Sequence, residues 1–338
     1  MDAAFDWLCA RRRDWPDHAD VWAFRRNWQH EKRLIQRQIR AGIYRFSLQT
    51  RVTTSSASVA HIWSARDALV LKALTLVLFD VLPASRRCTH LKGHGGLKDA
   101  VRQAASNIQQ HNFAFRTDVK SYYDSIDHGL LIERLKRHIR DERVLGLIRQ
   151  YLGRTSESGG IFYEFSQGIS AGCSLSPLIG AFFLNDLDNR MEQQAVREGL
   201  FYVRYMDDIL LFAPSRWKLR RAVNSVNEEL AVLGLEQHPD KTFIGYIARG
   251  FDFLGYRFGS NGLVGLAHQT IVNFEAKLTR LYEQRCDGSE KRIAMLERDI
   301  KKYITRLSSW VYGGLTDVQN TFTSAPVCGT RGVLLRFA

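Results

Sequence analysis

The segment Tyr205-Met206-Asp207-Asp208 constrains the fold of this chain more than any other. It lies between two apolar runs, Phe201-Tyr202-Val203 and Ile209-Leu210-Leu211-Phe212, which are typical of short strands packed on both faces. The pattern predicts a tight hairpin that presents two adjacent carboxylates at its tip. Because neighbouring aspartates repel each other, a divalent cation such as Mg²⁺ or Mn²⁺ is the expected neutralising partner. An ordinary Asx-rich turn is the alternative interpretation.

A third aspartate, Asp118, lies at the end of a predicted strand over residues 113–119, just before a turn and a helix. Three aspartates from two strand ends can hold two metal ions about 3.5–4 Å apart, as in phosphoryl-transfer polymerases. One ion would lower the pKa of a primer 3′-hydroxyl, and the other would bind the triphosphate and the leaving pyrophosphate. Alone, Asp118 fits a helix cap or a salt bridge equally well. Together with the aspartate pair at 207 and 208, Asp118 is better interpreted as a metal ligand.

Five segments, in order, resemble the motifs of the reverse transcriptases, over roughly residues 60 to 312. Asp118 with Tyr122-Tyr123 resembles the first catalytic motif, and Tyr205-Met206-Asp207-Asp208 resembles the catalytic hairpin. Segments 168–178, 235–242 and 251–256 resemble the motif that opens the palm helix, the motif that carries a lysine, and the primer-grip hairpin. The chain is similar to bacterial enzymes of the retron, group II intron and phage-defence branches.

The resemblance implies roles for individual residues. The implied catalytic and metal-binding residues are Asp118, Val119, Asp207, Asp208 and Lys241, with Lys241 protonating pyrophosphate or neutralising its charge. The implied cofactor is Mg²⁺, as two ions, with Mn²⁺ as the alternative. The implied primer grip is Phe253, Leu254, Gly255 and Tyr256.

Tyr123 resembles the residue whose ring excludes a ribose 2′-hydroxyl and so favours deoxynucleotides. The alternative is that Tyr122 and Tyr123 only pack between palm and fingers. Near the palm helix, the family's usual Pro-Gln is replaced by Ser170-Ala171. Without the glutamine, backbone amides around Gly172 are expected to contact the incoming nucleotide instead.

The fingers are expected to contain an apolar helix over residues 64–82, capped by Ser64, and a helical segment over residues 128–152. Residues 64–67 resemble the first fingers motif, and the glycine-rich basic segment 92–98 resembles the second. Arg66, Lys72 and Lys92 are candidate contacts to the nucleotide triphosphate.

The 338-residue chain has a net charge of +13, which suits a polyanionic partner. Eight Lys and Arg residues and one acidic residue lie between Val21 and Arg51, in an N-terminal segment predicted to be helical. The candidate RNA-binding residues there are Arg25, Arg26, Lys32, Arg33, Arg37 and Arg40. The nearby tryptophans either stack on unpaired bases or dock the helices on the fingers.

The five cysteines are scattered, which favours a reducing cytoplasm and argues against a zinc site. Asp2 and Asp6 are atypical of a signal peptide, and no apolar run is long enough to cross a membrane, so no membrane partner is expected. The 28 residues after Trp310 are too few for an RNase H domain.

The predicted fold is α+β, a right-hand polymerase with an antiparallel palm sheet, helical fingers and a helical thumb. Its parts are a basic helical N-terminal extension (1–50), fingers (51–113 and 135–170), palm (114–134 and 171–258), and thumb with a short tail (259–338). The predicted function is RNA-directed DNA synthesis from dNTPs on a primer, copying a dedicated structured noncoding RNA in bacterial antiphage defence. The alternatives are a template-independent or protein-primed DNA polymerase and a non-catalytic RNA-binding scaffold.

Overall fold

The computed structural model describes residues 1–53 and 59–283, and the single positions Arg298, Lys302 and Thr305. Most of the predicted thumb and tail therefore lies outside the described residues. The first elements are α1 (Asp2–Arg11), α2 (Asp20–Arg26), α3 (Trp28–Arg40), β1 (Gln49–Thr53), β2 (Val59–Ile62), α4 (Ala65–Leu78), α5 (Gly96–Asn107), β3 (Phe113–Thr117), α6 (His128–Lys136), α7 (Glu142–Leu152), β4 (Thr155–Ser158) and β5 (Ile161–Glu164). They are followed by α8 (Ser176–Phe183), α9 (Asn185–Glu198), β6 (Phe201–Tyr205), β7 (Asp208–Ala213), α10 (Arg216–Val232), β8 (Phe243–Tyr246), β9 (Phe251–Phe253), β10 (Tyr256–Gly259), β11 (Gly262–Leu266) and α11 (His268–Glu283).

The chain forms two compact units. The first unit contains Met1–Leu91, Val119–Met191 and Asn224–His238. The second contains Lys92–Asp118, Glu192–Val223 and the chain from Pro239 onward.

The first unit contains a four-stranded sheet in the order β2-β1-β4-β5. Strands β1 and β4 are parallel, with Gln49 opposite Ser156, while the outer pairs are antiparallel. The prediction of helical fingers was therefore incomplete. The strands were missed because their pairing joins segments far apart in sequence, and β4 and β5 lack a strong apolar alternation.

Helix caps set the helix boundaries in the first unit. Ser64 caps α4 by accepting a hydrogen bond from the backbone N–H of Asp67, which confirms the predicted cap. The helix ends at Leu78 rather than at residue 82. The single helical segment predicted over residues 128–152 forms α6 and α7 instead, because Asp141 accepts from the N–H of Arg143 and starts a new helix.

The second unit contains an antiparallel sheet in the order β6-β7-β3-β8, and a smaller sheet in the order β11-β10-β9. The predicted α+β class and antiparallel palm sheet are confirmed. A single apolar core joins α5 to both sheets and includes Val101, Phe212, Phe251, Phe253 and Phe258, all of them fully buried or nearly so. This core fixes the strand ends that carry the aspartates.

Helices α1, α2 and α3 confirm the predicted helical N-terminal extension. Trp28 is buried, and its ring stacks on that of Phe5 with centroids 4.1 Å apart. The indole N–H of Trp22 donates to the carbonyl of Pro16. Both of these contacts lie within the extension, so stacking on unpaired bases and docking on the fingers stay alternative predictions for the tryptophans. Within the described residues, no helix is long and apolar enough to cross a membrane.

Candidate active site

The register of the larger antiparallel sheet brings the predicted aspartates to one edge. Thr117 of β3 pairs with Ile209 of β7, and Tyr205 of β6 pairs with Asp208 at the start of β7. Continuing the β3–β7 register by one residue places Asp118 opposite Asp208. Two strand ends and one turn therefore supply the three carboxylates, as the sequence predicts.

The turn that carries Asp207 has an uncommon backbone conformation. Only Met206 and Asp207 separate β6 from β7, and Met206 has a φ of +56°. A positive φ matches the twist of a two-residue hairpin loop, yet it is unfavourable for a side chain other than glycine. The guanidinium of Arg204, fully buried in β6, donates to the Met206 carbonyl over 2.5 Å. Arg204 therefore holds the turn in place.

The carboxylates repel one another in partly buried surroundings. Burial, together with a hydrogen bond to Asp118 and its charge, raises the pKa of Asp207 to about 7. Burial also raises the pKa of Asp208, and the positive charge of Arg116 lowers it in part. The edge therefore holds more negative charge than its surroundings stabilise.

Two cations compensate this charge. The Lys241 ammonium lies 2.5 Å from Oδ2 of Asp118, and this contact raises the pKa of Lys241. Arg116 lies 3.3 Å from Oδ1 of Asp208 and also donates to the Lys241 carbonyl over 2.9 Å. Arg116 therefore links the aspartate and the lysine. The structure places Lys241 at the carboxylates, as the resemblance implies.

The three carboxylates at this edge are candidate ligands for a metal ion. In residues 1–53 and 59–283, no group of three or more His, Cys, Asp or Glu side chains is arranged to hold a metal ion. The donor chemistry still fits a hard divalent cation, because carboxylate oxygens are its preferred ligands and the pKa values of Asp207 and Asp208 are raised. A cation would relieve the same repulsion that Lys241 and Arg116 now offset.

Tyr123 lies in a short 3-10 turn over Tyr122–Asp124 in the first unit. Both tyrosine rings pack against Gly180 of α8, where an added Cβ would lie 3.1 Å from Cε1 of Tyr123. The Gly168 N–H donates to Ile126, and a Cβ on Gly168 would come within 2.8 Å of the backbone of Tyr123 and Asp124. These contacts fix the ring. They fit both the sugar-gate prediction and the packing alternative.

The remaining palm candidates lie in the first unit. Gly172 is exposed in the turn before α8, with a φ of +76° and open space where a Cβ would lie. Val119 is buried and forms a β-bridge with Gln237. Their roles toward a nucleotide and a metal stay predictions.

Two of the three triphosphate candidates make contacts within the protein. Arg66 donates to Gln38 over 2.7 Å, and the Lys72 ammonium lies 5.1 Å from the centre of the Trp7 ring. Lys92 is exposed. A triphosphate contact by any of them stays a prediction.

The primer-grip residues form the β9–β10 hairpin, with Phe253 opposite Tyr256. Both side chains are fully buried in the core of the second unit. The Gly255 carbonyl accepts from the N–H of Ala267 and the hydroxyl of Thr270. The Leu254–Gly255 turn is partly exposed, and contact of the four residues with a primer stays a prediction.

Five of the six candidate RNA-binding residues in the extension are exposed: Arg25, Arg26, Arg33, Arg37 and Arg40. Lys32 differs, because it pairs with Asp2 over 2.6 Å. RNA contact by these residues stays a prediction.

Sequence reasoning missed several basic residues. Arg204 and Arg116 sit inside strands, where their apolar neighbours gave no functional signal. In the first unit, Arg51 lies 4.7 Å from the Tyr163 ring, and the buried Arg154 lies 4.2 Å from the Phe165 ring. Only the strand register shows that Arg51, His61 and Tyr163 share a sheet face.

Comparison with known proteins finds similar sequences and structures. Residues 67–258, more than half of the chain, match the family model described as "Reverse transcriptase (RNA-dependent DNA polymerase)". Protein YkfC of Escherichia coli (strain K12) is 27% identical over 206 residues, which cover 48% of this chain and 53% of YkfC. The COX1/OXI3 intron 1 protein of Saccharomyces cerevisiae is 27% identical over 134 residues, which cover 38% of this chain and 16% of that protein.

Among solved structures, telomerase from Candida albicans, in complex with a fragment of telomeric RNA, matches with a TM-score of 0.48 and 14% identity. The match covers 76% of this chain and 50% of the telomerase chain. The chain thus spans about half the length of YkfC and a smaller share of the intron protein.

Proposed function

The chain belongs to the reverse transcriptase family, and from that premise we propose that it is an RNA-directed DNA polymerase with a right-hand fold. One observation carries the proposal: within the matched region, Asp118, Asp207 and Asp208 meet at one sheet edge with Lys241 against them. A scaffold that only binds RNA would gain nothing from a turn whose carboxylates raise one another's pKa.

The proposed reaction forms a bond between the primer 3′-oxygen and the α-phosphorus of a dNTP. The bond from that phosphorus to the bridging oxygen breaks, and pyrophosphate leaves. Two Mg²⁺ ions, when bound by Asp118, Asp207 and Asp208 with Val119 beside them, would lower the pKa of the 3′-hydroxyl and stabilise the triphosphate charge.

The chain's own residues supply the remaining groups. The raised pKa of Lys241 keeps its ammonium protonated, and Lys241 is proposed to donate a proton to the leaving pyrophosphate or to neutralise its charge. Arg116 keeps the Lys241 backbone beside Asp208. Tyr123 is proposed to exclude a 2′-hydroxyl, because its ring is held rigidly against Gly180.

Primer extension tests this function. The full chain is incubated with Mg²⁺, dNTPs and an RNA template annealed to a DNA primer, and the product is sequenced. We expect DNA complementary to the template. Products independent of the template would favour a template-independent polymerase. Products covalently attached to the chain would favour protein priming, and no product from any primer would contradict the proposal.

We further propose that the template is a dedicated structured noncoding RNA, copied in a bacterial antiviral response. The support is the row of exposed arginines on α2 and α3, which a duplex-binding cleft would not need. Nucleic acid copurified from the host should then be dominated by one RNA and its complementary DNA. An even sample of the transcriptome would contradict the dedicated template. Equal phage infection of cells with wild type and Asp207→Asn would contradict the defence role.

A further inference from the structure

A groove in the second unit lies between the start of α10 and strand β8. It has a volume of about 650 Å³, within the range of small-ligand sites. Its lining residues are Arg216, Trp217, Leu219, Arg220, Val223 and Ile244, and we call it the α10–β8 groove. None of these residues is acidic, and none belongs to the candidate active site.

The groove exposes apolar surface that folding normally hides. Trp217 is 74% exposed, and it is the only exposed tryptophan among the described residues. Ile244, on the opposite wall, is 55% exposed, and Tyr246, on the same face of β8, is 54% exposed. Clustered exposure of this kind marks a binding surface rather than scattered surface residues.

The groove also carries positive charge without compensation. Arg216 and Arg220 are exposed, and in the described part of the chain neither makes a hydrogen bond or an ion pair. The first turn of α10 contains no acidic residue. By contrast, the neighbouring Arg221 pairs with Glu198 over 3.1 Å. Two unpaired guanidinium groups beside an exposed indole suit phosphates that flank an unpaired base.

The position of the groove separates it from the carboxylates. Strand β7 runs for six residues from Asp208 to Ala213, and α10 starts three residues later at Arg216. A strand of that length spans about 20 Å. The α10 wall of the groove is therefore far from the carboxylates, although Ile244 on the opposite wall is three residues from Lys241. A nucleotide stacked on Trp217 is accordingly not the one that is being copied.

We propose that the α10–β8 groove binds an unpaired nucleotide of the RNA template, outside the copied duplex. Its base stacks on Trp217, and its phosphates pair with Arg216 and Arg220. This inference rests on the proposed function, because newly made DNA stays paired with its template and leaves RNA as the single strand.

Binding of a labelled, unstructured RNA to the full chain, followed by fluorescence anisotropy, tests the groove. Trp217→Ala should weaken binding about tenfold, while Trp217→Phe should keep most of the affinity, because stacking needs only a flat ring. Arg220→Ala should weaken binding and lower the slope of log affinity against log salt by about 0.7. Arg221→Ala removes the same charge one residue away, outside the groove, and should change affinity much less.

Each outcome decides the proposal. If Arg220→Ala and Arg221→Ala weaken RNA binding equally, RNA is attracted by the positive charge of the surface in general rather than by the groove, and the proposal is overturned. Equal binding of a DNA strand of the same sequence, equally sensitive to Trp217→Ala, would overturn the assignment to RNA. If Trp217→Ala binds RNA like wild type, the proposal is also overturned, and a protein becomes the remaining candidate partner for the exposed groove. Primer extension by the wild-type chain is measured in the same preparation. A lack of extension would contradict the proposed polymerase function, whereas the binding results alone decide the proposal for the groove.

Discussion

Two of the hairpins with two-residue loops in the second unit, β6–β7 and β9–β10, have a residue with a positive φ in the loop but use it differently. In the β6–β7 hairpin, Met206 has a φ of +56°, and in the β9–β10 hairpin, Leu254 has a φ of +50°. The residues flanking Leu254–Gly255 are buried aromatics that stabilise the core. The loop of the first hairpin carries Asp207, whose pKa is raised and whose neighbours repel it.

The difference shows that the residues of the second hairpin stabilise the fold, whereas the carboxylates of the first hairpin serve the proposed reaction. Phe253 and Tyr256 lower the free energy of the folded chain through apolar burial. Asp207 and Asp208 do the opposite, and the chain supplies Arg204, Lys241 and Arg116 to hold them. Substitutions of Asp207 and Asp208 should therefore change activity, whereas those of Phe253 and Tyr256 should change stability.

The largest expected effect in this comparison is on the rate of nucleotide incorporation at the first hairpin. Lys241→Ala should slow single-turnover dNTP incorporation by about 10²–10⁴-fold, because the leaving pyrophosphate loses its proton donor. Nucleotide affinity, measured in the same rapid-quench experiment, should change far less. Lys136→Ala removes a lysine that pairs with Glu133 and serves as the control. A normal rate with weakened affinity would make Lys241 a binding residue only.

The next effect is on the stability of the second hairpin. Phe253→Ala should lower the free energy of unfolding by about 3–5 kcal/mol, since it empties a fully buried site. Urea denaturation measures this change. Val264→Ala, on a side chain of β11 that is 65% exposed, should stay within about 0.5 kcal/mol. Equal midpoints for the two variants would show that the hairpin does not anchor the core.

The two hairpins also mark how far sequence reasoning reaches. Continuous apolar runs on both sides of the Asp207-Asp208 turn predicted the first hairpin, because strand signals and turn signals are local. The contact of Lys241 with Asp118 followed from motif position rather than from residue chemistry. Arg204 and the parallel β1–β4 pair were not predictable, because burial of an arginine and pairing across distant segments depend on tertiary structure.

The third prediction concerns the turn that contains Tyr123, which belongs to neither hairpin. Tyr123→Ala should raise the use of rNTPs relative to dNTPs, by up to about 10²-fold, because space opens at the 2′ position. Tyr123→Phe keeps the ring and should keep the discrimination. Competition between labelled dNTP and rNTP in primer extension measures the ratio. If Tyr123→Ala discriminates like wild type, the ring only packs against Gly180.

The smallest effect concerns backbone strain in the first hairpin. Met206→Gly should raise the free energy of unfolding by up to about 1 kcal/mol, because glycine accepts a positive φ without steric cost. Leu254→Gly should show no such gain, because Leu254 also packs against the core. Thermal unfolding of both variants compares the two loops. A loss of stability in Met206→Gly would mean that the Met206 side chain contributes more than its backbone strain costs.

Asp207→Asn tests the central claim most directly, since it removes the charge at the tip of the first hairpin and keeps its shape. Primer extension on an RNA template and the free energy of unfolding are measured on the same preparation. We expect a loss of extension of at least about 10³-fold, with stability equal to or above that of wild type, because the repulsion from Asp118 is relieved. Extension within tenfold of wild type would contradict the assignment of Asp207 to the active site.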